Sequence, residues 1–203
     1  MVGGGATQMK AAKLERTRAD RVPVNVPADD QELVIRVDRL DNSLGSAGKL
    51  DVHRTGELHR AFSIFVFDPA GKVLLQRRAD CKYHFAGLWS NTCCGHPRPG
   101  ETTARAAARR LREEFGFSTP LAEIAQIVYH AGDPVSGLVE HEYLHVFRGT
   151  FTGAPRPDPE EIGAYRWLPL SGVRDELDGR TNPYTPWFEL LFRRLFRTEA
   201  ATR

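Results

Sequence analysis

The sequence has little from which a disulfide scaffold, a membrane span or a nucleic-acid surface could be built. Only three of its 203 residues are cysteines, Cys81, Cys93 and Cys94, and no C-x-x-C pair exists. A disulfide framework and a thiolate zinc knuckle are both disfavoured, so a thiol that matters here is expected to matter as a reactive group. No apolar run approaches the roughly 20 residues of a membrane helix. The stretch MVGGGATQMKAAKLERTRADR lacks the apolar centre of a secretory signal, and a cytoplasmic protein is expected. A net charge of only +2 gives no electrostatic support to nucleic-acid or membrane-surface binding. Internal repeats are absent as well.

What is present suits one globular domain. The hydrophobic fraction of 41% and the charged fraction of 27% are ordinary for a soluble fold, and the length allows one real core. Residues 1–30 mix Gly, Ala and charges without a period and read as a disordered tail, leaving residues 31–203 for the domain. ELVIRVDRLD (Glu32–Asp41) reads as a strand and NSLGSAGK (Asn42–Lys49) as a turn. AFSIFVF (Ala61–Phe67), DPAGK and VLLQRR (Val73–Arg78) read as a hairpin, its first strand apolar on both faces and therefore central. Thr102–Gly116 reads as a helix with a Thr start and a Gly stop, its apolar stripe running through Ala104, Ala107, Ala108, Leu111 and Phe115. Arg110 and Glu114 border that stripe, and Arg112 points to water. Further strands are expected over Ile124–His130, Leu138–Phe151 and Ala164–Leu168, and a closing helix over 185–196 with Thr185 as N-cap and Pro186 at its first position. This order predicts an α/β (α+β) sandwich on a mixed sheet.

Two carboxylates then draw attention. In VEHEY, Glu140 and Glu142 are two apart on an expected strand, so alternation puts both on one face, with Leu138, Leu144 and Val146. Carboxylates that close repel unless a cation or a shared proton intervenes. A solvated Glu-x-Glu face is the plain alternative, but the apolar neighbours argue that this face is covered. His53, His59 and His96 lie near expected strand edges, and three His with two Glu make a donor set typical of Zn, Mn or Fe.

From Gly95 the chain reads GHPRPGETTARAAARRLREEFGF, which follows the Nudix box G-x5-E-x7-R-E-U-x-E-E-x-G-U at every fixed position but one. Gly95, Glu101, Arg109, Leu111, Glu113, Glu114, Gly116 and Phe117 fit, while Arg110 stands where a Nudix glutamate belongs. An arginine there favours gripping a phosphate over holding a hydrolytic metal.

Taken with LHRAFS, RRADCKYHFAGLWSNTCCGHP, VEHEY and YTPW, this segment resembles the type 1 isopentenyl diphosphate isomerases, Nudix-fold enzymes that do not hydrolyse their substrate. The resemblance runs from about Glu32 to Trp187. It implies Cys94 and Glu142 as catalytic residues with Tyr129 near them. It implies His53, His59, His96, Glu140 and Glu142 as ligands of one divalent metal, Mn, Zn or Mg. Glu114 would bind Mg together with the substrate diphosphate, Lys49, Arg78, Lys82 and Arg110 would hold that diphosphate, and Trp187 would face the reacting carbons. The implied partner is a small isoprenoid diphosphate, with no nucleic acid or membrane, for a monomer or weak homodimer. Two spacings depart from the family's pattern: His53 to His59 is one residue shorter, and the loop from His130 to Glu140 one longer.

Moving the alkene requires an acid, a base on the opposite side, an aromatic wall and exclusion of water. Glu142 is expected to protonate the alkene and Cys94 to take the allylic proton, with the reverse order open. Cys93 is expected to pack. A Nudix hydrolase of a nucleoside diphosphate derivative and a non-catalytic binding module are the competing readings, and Arg110 argues against the first.

Overall fold

The computed structural model describes residues 32–82 and 84–196. Its elements are β1 (Leu33–Val37), β2 (Ser43–Gly48), α1 (Lys49–Thr55), β3 (His59–Phe67), β4 (Lys72–Arg78), β5 (Trp89–Ser90) and β6 (Cys93–Gly95), followed by α2 (Thr103–Phe115), β7 (Ala122–Gly132), β8 (Val139–Thr150), β9 (Ile162–Pro169), α3 (Leu170–Leu177) and α4 (Pro186–Leu195). The tail expected over residues 1–30 lies outside the described residues.

Strand β3 organises the sheet. One of its edges is taken along its whole length by β8, in parallel, from His59 opposite Glu142 to Phe67 opposite Thr150. The other edge is shared in succession by β1 at His59, β6 at Phe62–Ile64 and β4 at Phe67. Its apolar sequence follows from burial on both sides. Phe62, Ile64 and Val66 pack with Ala106, Ala107, Leu111 and Phe115 of α2. Ala61, Phe65 and Phe67 pack on the opposite face with Val173 of α3 and Phe188, Leu191 and Phe192 of α4. The result is the mixed, helix-flanked α+β sandwich that the order of elements predicts. Among the described residues no helix is long and apolar enough to cross a membrane.

Helix α2 begins where Thr102 accepts the Arg105 amide at 3.3 Å and ends at Gly116, whose φ of 70° suits the left-handed C-cap. Its covered side differs from expectation: Ala104 is exposed and Ala106 takes the buried place, because the helix lies over Phe62 and Cys93. Glu114 is buried on this side and Arg112 is exposed.

Four other expectations are corrected. The segment 42–49 is not a turn: Ser43–Gly48 pairs antiparallel with β1, from Val37 opposite Ser43 to Leu33 opposite Gly48. Pairing by a neighbouring strand overrides the weak propensity of SLGSAG. The β1 strand ends at Val37, since Asp38 Oδ1 accepts the amides of Leu40 and Asn42 and turns the chain. Helices α1 and α3 follow without having been expected. The hairpin around Asp68–Lys72 forms its turn, but only Phe67 and Val73 pair across it. Beyond them the Thr92 hydroxyl accepts from the Val66 amide (2.9 Å) and donates to the Leu74 carbonyl (2.7 Å), bridging the gap, while β4 pairs with β9.

Candidate active site

One cleft of about 780 Å³ gathers most of the residues that the sequence singles out. Its lining includes Lys49, Arg78, Lys82, Cys94, His96, Arg110, Glu114, Tyr129, Glu140, Glu142 and Trp187. His53 and His59 lie directly behind it, fully buried, completing the predicted set.

The His/Glu cluster is built by register. In β8, alternation turns Glu140 and Glu142 to the face that also carries Leu144 and Val146. The parallel pairing sets His59 beside Glu142, His96 follows β6 directly, and α1 delivers His53. One donor atom from each of the five lies within 4.8 Å of all the others. His53 Nε2 is 3.1 Å from Glu140 Oε2, and His96 Nε2 is 3.0 Å from Glu142 Oε1.

This donor set fits a divalent cation. His59 Nδ1 is 2.9 Å from the Glu57 carbonyl, an acceptor only, so Nδ1 carries the proton and Nε2 presents its lone pair. That Nε2 is buried without a hydrogen-bond partner, as is His53 Nδ1. Burial, with His96 and His53 adding to it, takes His59 down to about 3, and burial with Lys49 takes His96 to about 3, so both rings are neutral at pH 7, the form that can bind a cation.

The two glutamates divide. Burial pushes both carboxyls up, but His53 and His84 outweigh it at Glu140 and hold that group well below the usual range. Glu142 stays well above it, raised by burial and by the charge of Glu140. Tyr129 stands directly opposite Glu142 in the β7–β8 ladder, on the same face of the sheet.

Cys94 faces Ser63 across the β3–β6 pair, with Sγ 3.3 Å from Ser63 Oγ and 3.2 Å from Asn91 Oδ1. Asn91 is itself fixed, its amide donating to the carbonyls of Ile64 and Cys93. Burial pushes the Cys94 thiol up to about 12, against the Ser63 hydrogen bond. All three cysteines are free thiols. Trp187, near the start of α4, donates from Nε1 to Ser90 Oγ at 2.9 Å and meets the edge of Phe85 at 5.1 Å. Arg78 lies over its ring at 5.5 Å.

At the polar end the cations arrive with partners. Lys49 pairs with Glu32 at 2.8 Å and Lys82 with Glu161, while Arg110 reaches Glu114 at 2.7 Å and Glu161 at 3.1 Å. Arg78 Nη2 donates to the His84 carbonyl. Glu32, Glu161 and His84 belong to this site and were not singled out by the sequence. No local pattern marks them, since each comes in by a long-range contact.

The loop–helix Gly95–Phe117 packed on a mixed sheet defines a Nudix protein, and a family profile for the NUDIX domain matches residues 57–188. A crystal structure of DR0079 from Deinococcus radiodurans shares the fold, with a TM-score of 0.67 at 19% identity, over 82% of this chain and all of that one. More specific are two relatives. Isopentenyl-diphosphate Delta-isomerase of Halorhodospira halophila is 54% identical over 164 residues, 79% of this chain and 93% of the relative. Isopentenyl-diphosphate Delta-isomerase 2 of Photorhabdus laumondii is 51% identical over 158 residues, 78% and 89% of the two chains. Within the Nudix fold, the chain belongs to the isopentenyl-diphosphate Delta-isomerase family.

Proposed function

We infer that the protein interconverts isopentenyl and dimethylallyl diphosphate, as a cytoplasmic enzyme. The observation that carries this is the meeting of two proton-holding groups from separate strands, Cys94 of β6 and Glu142 of β8, with Trp187 in one cleft whose far end is basic. The reaction needs one proton delivered to the terminal alkene carbon and one removed two carbons away.

In the proposed order, the carboxyl of Glu142 delivers the proton to the alkene. Tyr129, its cross-strand neighbour, lies beside that carboxyl and would assist the transfer. Cys94 takes the allylic proton, a role that needs its thiolate; burial favours the thiol, and Ser63, 3.3 Å from Sγ, and positive charge at the His/Glu cluster act in the other direction. The tertiary cation between these two steps faces the indole of Trp187, worth about 2 kcal/mol or more in a desolvated site. The indole is held in orientation by Ser90 and by the edge of Phe85.

His53, His59, His96, Glu140 and Glu142 would hold a divalent cation, Mn, Zn or Mg, which supplies positive charge that favours ionised groups around it. Lys49, Arg78, Lys82 and Arg110 would take the diphosphate, with Glu114 placed for its Mg²⁺. Arg110, committed to Glu114 and Glu161, removes one of the carboxylates a Nudix hydrolase uses, which weighs against the competing hydrolytic reading.

The test is incubation with isopentenyl diphosphate and Mg²⁺ in deuterated water. Dimethylallyl diphosphate carrying deuterium is the expected product; release of phosphate without isomer would overturn the reading.

A further inference from the structure

The loop between β4 and β5, residues 79–88, carries His84, which neither the ligand set nor the proton-transfer pair includes. His84 is buried, and its Nε2 is 2.5 Å from Glu140 Oε1, while the other carboxylate oxygen of Glu140 faces His53 Nε2 at 3.1 Å. The two oxygens are therefore divided: one toward the five-donor cluster, one toward the loop. His84 is not one of the five residues whose donor atoms lie within 4.8 Å of one another.

The same loop touches the other parts of the site. The His84 carbonyl accepts from Arg78 Nη2 at 3.2 Å. Phe85, held at a φ of 49°, puts its amide 3.4 Å from Asp133 Oδ2 and its ring edge-on against Trp187 at 5.1 Å. Lys82, two residues before His84, is bound to Glu161 at the basic end. Phe85 and Leu88 anchor the loop to the apolar core, and the bond from His84 to Glu140 ties it to the His/Glu cluster.

We propose that His84 is a positioning residue of the metal centre: it donates from Nε2 to Glu140, turns the other oxygen of that carboxylate toward the cluster, and so raises the affinity of the centre for a divalent cation. Groups that orient a ligating carboxylate in this way typically change metal affinity by about 10–100-fold when lost. The assignment rests on the metal reading given above.

The test uses the full chain, stripped of metal and titrated with Co²⁺, read through its visible absorption. His84→Ala is expected to weaken Co²⁺ binding by about 10–100-fold. His84→Gln, which keeps an N–H donor near the position of Nε2, is expected to restore most of the loss. The bands of the saturated complex should stay close to wild type, because the same five donors surround the ion. His84→Leu supplies the donor-free comparison should His84→Ala not fold. Equal affinities of the wild-type, Leu and Gln proteins would overturn the proposal. So would a changed band pattern in the Leu or Ala complex, which would make His84 itself a ligand. Wild-type protein that binds no Co²⁺ would instead overturn the metal reading, and the proposal with it.

Discussion

Cys93 and Cys94 are neighbours in the chain but face opposite sides of the sheet. Opposed to Ile64 and Ser63 of β3, they obey strand alternation: Cys93 is sealed into the core under α2, while Cys94 opens to the cleft. Cys94→Ala is expected to lower turnover by about 10³-fold with the fold intact. Cys93→Ala should keep most of the activity and lose about 1 kcal/mol of stability as its packing atoms are removed. Isomerisation rates and urea unfolding of both variants check this, and equal losses of rate would show that both thiols act.

Tyr129 stands opposite Glu142 in the β7–β8 ladder and lines the cleft with it. Replacement by Phe is expected to reduce kcat by about 10²-fold, the low end of the range for assistance to proton transfer. Inhibition by inorganic pyrophosphate, which needs only the basic end, should be unchanged. If pyrophosphate binding falls together with kcat, Tyr129 shapes the cleft and takes no part in the proton step.

Two buried ring nitrogens, His59 Nε2 and His53 Nδ1, have no hydrogen-bond partner in the protein. A ligand that binds only the folded state stabilises it, by about 2.7 kcal/mol at a free concentration 100 times its dissociation constant. Addition of Mn²⁺ or Zn²⁺ to chelator-treated protein should therefore raise Tm by several degrees. His59→Ala should abolish that response, and an unchanged response in this variant would remove His59 from the ligand set.

Glu32 links acid stability to the cleft. Burial opposes its ionisation, yet Lys49, 2.8 Å away, and His96 lower its carboxyl from 4.5 to about 2. A depressed carboxylate stabilises the fold fully above its unfolded pKa and loses that contribution as pH falls through the folded one. Wild type should thus exceed Glu32→Gln by roughly 2 kcal/mol at pH 6, a gap that closes between about pH 4.5 and 2. Unfolding free energies across that range test it; a constant gap would place the effect in packing.

Much of this arrangement was legible because strand periodicity is local. Period-two alternation suffices to put Glu140 and Glu142 on one covered face, and the two-sided apolarity of Ala61–Phe67 suffices to make β3 central. Residues Thr102 and Gly116 mark the ends of α2 by cap chemistry alone. Helix α1, which brings Lys49 and His53 to the site, spans seven residues and buries only Leu50, Val52 and His53, too short a pattern to stand out. Strand β2 exists only because β1 offers an edge to SLGSAG. Glu161, Glu32 and His84 reach the cleft through contacts between residues 17 to 79 positions apart, which no window along the chain contains. The meeting of Cys94 with Glu142 was likewise expected from family resemblance, and depends on β3 pairing with both β6 and β8.

That double pairing separates the length of the connections from the geometry of the chemistry. His59, Cys94 and Glu142 are held by hydrogen-bond register against a single strand, so the bends entering and leaving these strands are free to gain or lose residues. The turn at Asp133–Leu138, where Val135 is 93% exposed, is such a bend, lying between β7 and β8 and outside both. A residue gained or lost in such a bend leaves the register of the strands unchanged, whereas one residue added within Ala61–Phe67 would turn every later side chain of that strand to the opposite face.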